Sequence, residues 1–328
     1  MQTNVTRDAI HRIPGDSRPS GDLRRVLIAY DGSAGAAEAI EDLARASLPE
    51  QLEALVVFVH DNTHPENVCR FSNAAQLDYF ALARGSEFPG RRIAEAARSQ
   101  LLTVFPRWRV EMEMNTDTPA GGILGAAAVW QPDLLVAGAH GHSGCEVLLL
   151  GSVARRIART AWCPVRIARA PRRSPGRNVR IILAADGTFA DEAIVQAVST
   201  RDWPVRAEIQ ILTVVDKQLN ELTAGQGSFT AAWKQQHGRS ADTHACQVVD
   251  QLRNRLCSAG MSAETLIFEG DSARRVVEHA IAWEADCIFV GGASERGAAV
   301  PASNAAFRIA ASAPCSVEIA RAQKPCLP

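Results

Sequence analysis

The chain has no excess of charge of either sign. Thirty-five Lys and Arg stand against 36 Asp and Glu, a formal net charge of −1, so nothing electrostatic favours nucleic acid or an anionic membrane as the main partner. No apolar run approaches the ~18 residues of a membrane span, and no signal-peptide core follows Met1. The expectation is a cytoplasmic protein without membrane contact. Eight cysteines include no C-x-x-C pair, which fits reduced thiols better than a disulfide framework. Cys163, Cys287 and Cys315 fall in apolar strand patterns and read as core residues. There is no G-x-x-x-x-G-K-[ST] and no G-x-S-x-G, which removes two common catalytic loops.

Against these absences stands Gly138-Ala139-His140-Gly141, followed after nine residues by Gly151-Ser152. The apolar run Asp133-Leu134-Leu135-Val136-Ala137 reads as a central parallel strand, and Gly138 stops it. Ser152 then opens a helical pattern, with Val153, Ile157 and Ala158 on one side and Arg155, Arg156 and Arg159 largely on the other. Ser152 reads as its N-cap. Glycines at such a turn bring backbone N–H groups close to an anion, and the positive end of the helix dipole faces the same place. The bland reading is a glycine-rich turn that binds nothing.

With 328 residues, 47% of them hydrophobic and 22% charged, the chain is long enough for two cores. It also repeats itself. Val26-Leu27-Ile28-Ala29-Tyr30-Asp31-Gly32-Ser33 matches Ile181-Ile182-Leu183-Ala184-Ala185-Asp186-Gly187-Thr188. Trp130 and Asp133 match Trp283 and Asp286, and Arg156 through Arg169 matches Arg308 through Arg321. Each unit alternates strands and helices, which implies an α/β fold with a parallel sheet. In the first, strands are expected near Val26–Tyr30, Leu55–His60, Arg109–Met114, Leu134–Ala137 and Val165–Ile167, with helices near Ala34–Ala46, Arg91–Val104, Gly121–Trp130 and Ser152–Thr160. In the second, strands are expected near Ile181–Ala185, Glu208–Val214, Glu264–Glu269, Cys287–Val290 and Val317–Ile319. Its helices are expected near Ala190–Ser199, Asp242–Ala259, Ser272–Trp283 and Asn304–Ala311. Residues 1–22 read as a flexible tail, 23–170 as one domain, 171–178 as a linker and 179–323 as a second domain. The Arg-rich stretch from Arg166 to Arg177 reads as solvated.

On these residues the chain resembles the universal stress protein family in its tandem two-domain form, over roughly 23–323. ATP-binding members of that family carry G-x2-G-x9-G-[ST] after the fourth strand, and Gly138, Gly141, Gly151 and Ser152 supply it in full. The resemblance implies two Rossmann-like domains of the adenine nucleotide alpha hydrolase type, each a five-stranded parallel sheet of order 3-2-1-4-5 with helices on both faces. It places the nucleotide at the switch point between first and fourth strands, where open sheets bind ligands on physical grounds too. By matching position, Asp31 would hydrogen-bond adenosine, and Val59 would give apolar contact and backbone bonds to adenine. Gly138 and Gly141 would approach ribose and phosphates, while Gly151 and Ser152 would hold phosphate by N–H and hydroxyl donation. His142 and Ser143 would meet the terminal phosphates, and Val153 completes the set. Asp31 has a bland alternative as the cap of the first helix.

The second unit departs from the motif. Gly291 matches Gly138, but Ser294 replaces Gly141, Ser303 replaces Gly151, Asn304 replaces Ser152, and Pro301 enters a loop one residue shorter. Serines add Cβ atoms and proline removes a donor, so the second domain is expected to be mainly structural. The fifth strands carry Arg166 and Glu318 at matching positions, and pairing of those edges would make an intramolecular pseudo-dimer. A homodimer remains open.

His60, His140 and His142 gather on loops of one sheet edge without metal-site spacing, so Mg²⁺ is expected only in company with a nucleotide. The loop from Gly138 to Gly151 contains no lysine, and Glu146 is its sole carboxylate, so no catalytic set for phosphoryl transfer emerges. The leading expectation is an ATP-binding regulatory protein of the stress response that signals to an unknown protein partner. A slow ATPase or self-phosphorylating enzyme, and a nucleotide-free scaffold, are the alternatives.

Overall fold

The computed structural model describes residues 23–61, 90–141, 150–170, 177–188, 190–204, 206–215, 241–292 and 304–321. Its first half runs β1 (Arg25–Ala29), α1 (Ala34–Leu43), β2 (Glu53–His60), α2 (Gly90–Val104), β3 (Arg109–Thr116), α3 (Pro119–Trp130), β4 (Leu134–Gly138), α4 (Ser152–Thr160) and β5 (Val165–Ala168). The second half follows as β6 (Arg180–Ala185), α5 (Ala190–Ser199), β7 (Glu208–Val215), α6 (Ala241–Ser258), β8 (Glu264–Glu269), α7 (Ser272–Ala282), β9 (Cys287–Gly291), α8 (Asn304–Ser312) and β10 (Ser316–Ala320).

The strands form one ten-stranded sheet of order β3-β2-β1-β4-β5-β10-β9-β6-β7-β8. Each half keeps the order 3-2-1-4-5 with parallel pairing, as in Ile28 beside Val56 on one side and Val136 on the other. The two halves join edge to edge. β5 pairs antiparallel with β10, and Arg166 stands directly opposite Glu318. Closing the two edges on each other removes the unpaired backbone that each five-stranded sheet would otherwise expose.

The central strands are apolar on both faces because helices cover both. Leu27, Leu135, Val165, Val317 and Ile288 belong to a cluster that crosses the join, under the buried sides of α3, α4, α8 and α7. On the other face each half has its own core, Val26, Ile28, Ile40 and Val136 in one and Ile181, Leu183, Ile194 and Phe289 in the other. At about 1.5–3 kcal/mol per fully buried large apolar side chain, the shared face contributes strongly to holding the two halves together.

The repeat is also a repeat of fastening. Asp133 Oδ2 accepts from the N–H of Arg25 (2.9 Å), and Asp286 Oδ2 accepts from that of Arg180 (2.8 Å). Arg25 lies over the Trp130 ring and donates to the Trp130 carbonyl, while Arg180 does the same with Trp283. The matched Trp and Asp therefore lock the first strand of each half to the fourth.

Two expectations need correction. The first helix stops at Leu43 rather than Ala46, and the carbonyl of Ala46, released from helical bonding, accepts from Arg201 Nη1 at 3.2 Å. Arg166 is no solvated linker residue: its side chain is 1% exposed. Asp42 grips it through Nε (2.6 Å) and Nη2 (3.2 Å), while Glu318 accepts from its Nη1 at 3.2 Å. Glu318 also accepts from Arg201 Nη2. Two acids and two bases thus neutralise one another inside the join, and the opposed carboxylates hold the Arg166 guanidinium above its usual range despite burial.

Candidate functional site

β1 ends where the site begins. Its final rung is the Tyr30 N–H donating to the Val57 carbonyl at 3.1 Å, and the chain then turns through Asp31 and Gly32, whose φ of +80° lies in the left-handed region that glycine adopts without strain. Ser33 caps α1, its Oγ accepting from the Ala36 N–H at 3.2 Å. The capping alternative for Asp31 is therefore taken by Ser33. Asp31 Oδ1 accepts from the Ser33 N–H at 2.9 Å, which fixes the carboxylate, and Oδ2 lies toward the loop that follows β4: a Cβ built on Gly141 would stand 3.1 Å from it. Burial raises the Tyr30 hydroxyl above its ordinary pKa, and the neighbouring Asp31 charge adds to that.

The three motif glycines do different work. A Cβ on Gly138 would lie 2.3 Å from the Gly35 carbonyl oxygen, and one on Gly35 would lie 2.0 Å from that of His140. Gly138 is glycine so that the end of β4 can touch the start of α1, backbone against backbone. At Gly141 the Asp31 carboxylate is the one neighbour within 4 Å of such a Cβ among the described residues. Gly151 closes the loop, its N–H donating to the Ala139 carbonyl at 2.9 Å, and its own Cβ would come 3.8 Å from the Gly141 nitrogen. Gly141 and Gly151 are thereby brought together beside Asp31. His142 and Ser143 lie outside the described residues.

Two details of the motif differ from expectation. The N-cap of α4 is Gly151, with φ −59° and ψ 159°, and Ser152 is the first helical residue without a side-chain cap bond. Gly151 cannot offer its N–H to phosphate as expected, because Ala139 already accepts it. The first bond of α4 joins the Arg155 N–H to the Gly151 carbonyl at 2.8 Å, so the N–H groups of Ser152, Val153 and Ala154 are the donors that the helix start leaves over. Ser152 is exposed and Val153 half-buried against the shared core.

Val59 sits near the C-terminal end of β2, half-buried, where its side chain faces Gly122 of α3 closely enough that a Cβ there would be 2.8 Å from both methyl groups. Hydrogen bonding along β2 alternates sides: Leu52 and His60 accept from the β3 side, while Glu53 and Val57 bond toward β1. Val59 shares the parity of Val57, so its backbone polar groups face the space beyond the end of β1. That space adjoins Asp31.

The second half keeps the frame of the first turn but surrounds it with different side chains. Gly187 repeats the φ of +80°, and Asp186 Oδ1 accepts from the Thr188 N–H at 3.0 Å, as Asp31 does from Ser33. Asp191, however, turns its carboxylate back on the turn and accepts from the N–H groups of Gly187 (2.9 Å) and Asp186 (3.3 Å). Its counterpart in the first half is Ala36, which has no polar side chain. Ala190 replaces Gly35, and its methyl carbon stands 2.5 Å from where a Gly291 Cβ would be. Ser294, Pro301 and Ser303 lie outside the described residues. Gly35 and Asp191 went unnoticed in the sequence, although the repeat set each against a different residue type in its twin.

No group of three His, Cys, Asp or Glu side chains able to hold a metal occurs among the described residues. No helix of the described residues is long and apolar enough to cross a membrane.

Comparison with known proteins agrees with this frame. The sequence model of the universal stress protein family matches residues 22–169. A universal stress protein of Methanocaldococcus jannaschii is 38% identical over 65 residues, which is 20% of this chain and 38% of that protein. Among solved structures, a universal stress protein from Archaeoglobus fulgidus superimposes with a TM-score of 0.60 at 15% identity, covering 91% of this chain and 98% of the other. A putative universal stress protein from Pseudomonas aeruginosa gives 0.54 at 14% identity, covering 91% and 93%. The first half of the chain is therefore similar to the universal stress protein family over residues 22–169, and the likeness in fold to solved structures extends over both halves.

Proposed function

We propose that the chain is an ATP-binding regulatory module, with one nucleotide held in a domain of residues 23–170, a linker at 171–178, and a mainly structural domain at 179–323. The observation that carries this reading is the meeting of Asp31 Oδ2, Gly141 and the Gly151–Ser152 turn in one crevice at the end of β1 and β4. There Asp31 would accept from the ribose, and the backbone of Val59 would bond the adenine edge. The spare N–H groups of Ser152, Val153 and Ala154, together with the Ser152 hydroxyl, would take the phosphates. Gly141 would leave the room that this approach needs. Gly138 supports the crevice from behind. Mg²⁺ would enter with the nucleotide, held by phosphate oxygens and water. In the second half the Asp191 carboxylate occupies turn donors and would repel a phosphate.

The test is native mass spectrometry of the gently purified full chain, beside Gly141→Val. One adenine nucleotide per chain, lost in the variant without a change in thermal melting, is the expected result. Gly138→Val is unsuitable, because its side chain would strike the Gly35 backbone and damage the fold itself. Two equivalent nucleotides per chain, or none, would overturn the reading. ATP turnover faster than about 1 s⁻¹ would replace the binding module with an enzyme.

A further inference from the structure

The outward side of α4 carries a positive array that the nucleotide motif does not include. Ser152, Arg155, Arg156, Arg159 and Thr160 line an open hollow of about 450 Å³. All three arginines are exposed, and none forms an ion pair with a carboxylate among the described residues. Two are positioned rather than loose. Arg155 Nη2 donates to the Leu150 carbonyl at 3.3 Å, so its guanidinium reaches back past the start of its own helix to the residue before Gly151. Helical side chains lean in this direction because each Cα–Cβ bond tilts toward the N-terminus. Arg159 lies over the Phe307 ring, 5.0 Å from its centroid.

The twin helix shows that the array is not required by the fold. On α8 the position of Arg155 is Phe307 and that of Arg159 is Ala311. Arg308, which corresponds to Arg156, is bound by both oxygens of Asp271 at 2.7 and 2.9 Å. The same helix thus packs in the second half with its one arginine neutralised, while the first half keeps three cations beside the turn with spare N–H donors.

Resting on the nucleotide reading given above, we propose that Arg155 and Arg156 bind the outermost phosphates and make the site select by phosphate number. A guanidinium presents paired donors that match phosphate oxygens, and the Arg155 guanidinium already lies at the level of Leu150, beyond the Ser152 end of the helix. The inner phosphate would be satisfied at the Ser152–Ala154 N–H groups, so a monophosphate gains little from the arginines and a triphosphate gains from both. Arg159, engaged with Phe307, contributes charge from further along the helix.

Isothermal titration of the full chain with ATP, ADP and AMP, at fixed Mg²⁺ and salt, tests this in wild type and in Arg155→Met with Arg156→Met. Methionine keeps an unbranched apolar stem and removes the charged guanidinium. Wild type is expected to bind ATP at least tenfold more tightly than AMP. The double variant is expected to lose roughly tenfold or more in ATP affinity, while AMP affinity moves less than twofold and the melting temperature is unchanged. Arg155→Lys with Arg156→Lys should recover part of the ATP affinity. Equal loss for ATP and AMP, or unchanged ATP affinity in the methionine variant, would overturn the assignment. A wild type that binds ATP and AMP equally would defeat only the phosphate selection, whereas one that binds no adenine nucleotide would defeat the nucleotide reading itself.

Discussion

Asp191 holds a charge where its surroundings oppose it. Burial pushes its carboxyl up to about 6, Asp186 adds to the rise, and the two N–H donors only partly offset them. A folded-state pKa above the unfolded value of ~3.9 means that the folded protein binds the proton more tightly. The associated stability is fully present below about pH 4 and is lost as pH rises through about 6. Asp191→Asn, which keeps an acceptor for the Gly187 N–H without the charge, is expected to raise unfolding stability at pH 7.5 by about 1–3 kcal/mol. The gain should shrink to nothing near pH 4, as urea titrations across that range would show. At this scale the sequence was only partly legible. The motif named Gly138, Gly141 and Gly151 together, but which glycine serves packing and which serves the crevice depends on Gly35 and Asp31, contributed by the stretch after β1 and far away in the chain. Likewise Ser152 has the chemistry of an N-cap, yet the closing bond from Gly151 to Ala139 sets the helix start one residue earlier.

Among the elements, β5 and β10 depend on each other through charge as well as backbone. Arg166 and Glu318 were legible as opposite charges at matching positions, but Asp42 and Arg201 were not, because they come from α1 and from the segment after α5. An exposed pair would contribute about 1 kcal/mol at most. Burial changes the account: breaking a buried pair costs about 3–5 kcal/mol, because a desolvated charge loses its partner, while removing both partners costs far less. Glu318→Leu is therefore expected to destabilise the chain by about 3–5 kcal/mol by leaving Arg201 without a carboxylate. Arg201→Met added to it should restore a substantial part, since Asp42 still neutralises Arg166 through two bonds. A double-mutant cycle by chemical denaturation measures the difference, and purely additive losses would contradict the coupling. Antiparallel self-pairing of β5 in the same register would set Arg166 against Arg166, so the network also favours the partner within the chain over a second copy.

For the whole molecule, duplication gave two sheets of the same order, and the join turned them into one. The order within each half was legible because alternating strands and helices restrict the topology, and the apolar fifth strands signalled edges in need of cover. The extent of the union was not legible, since it rests on side chains that cross over. Arg169 donates to the carbonyls of Ala310 and Cys315, and Arg321 donates to those of Ala158 and Cys163. Residues 1–170 and 177–328 produced as separate chains are expected to associate one to one and to melt in a single transition, by size-exclusion chromatography with light scattering and calorimetry. Independent melting of unassociated fragments would show that the halves are separate folding units.

The exchange of arginines has a further meaning for α4. One end of this nine-residue helix opens on the crevice, and near the other the Ala158 carbonyl accepts from Arg321 of the opposite half. A cation at the C-terminal end and an anion at the N-terminal end are the two charges that a helix dipole favours. The half without the intact motif thus adds a second cation to the end of its neighbour's helix, beside that helix's own Arg159, and the helix facing the crevice is a component shared between two owners.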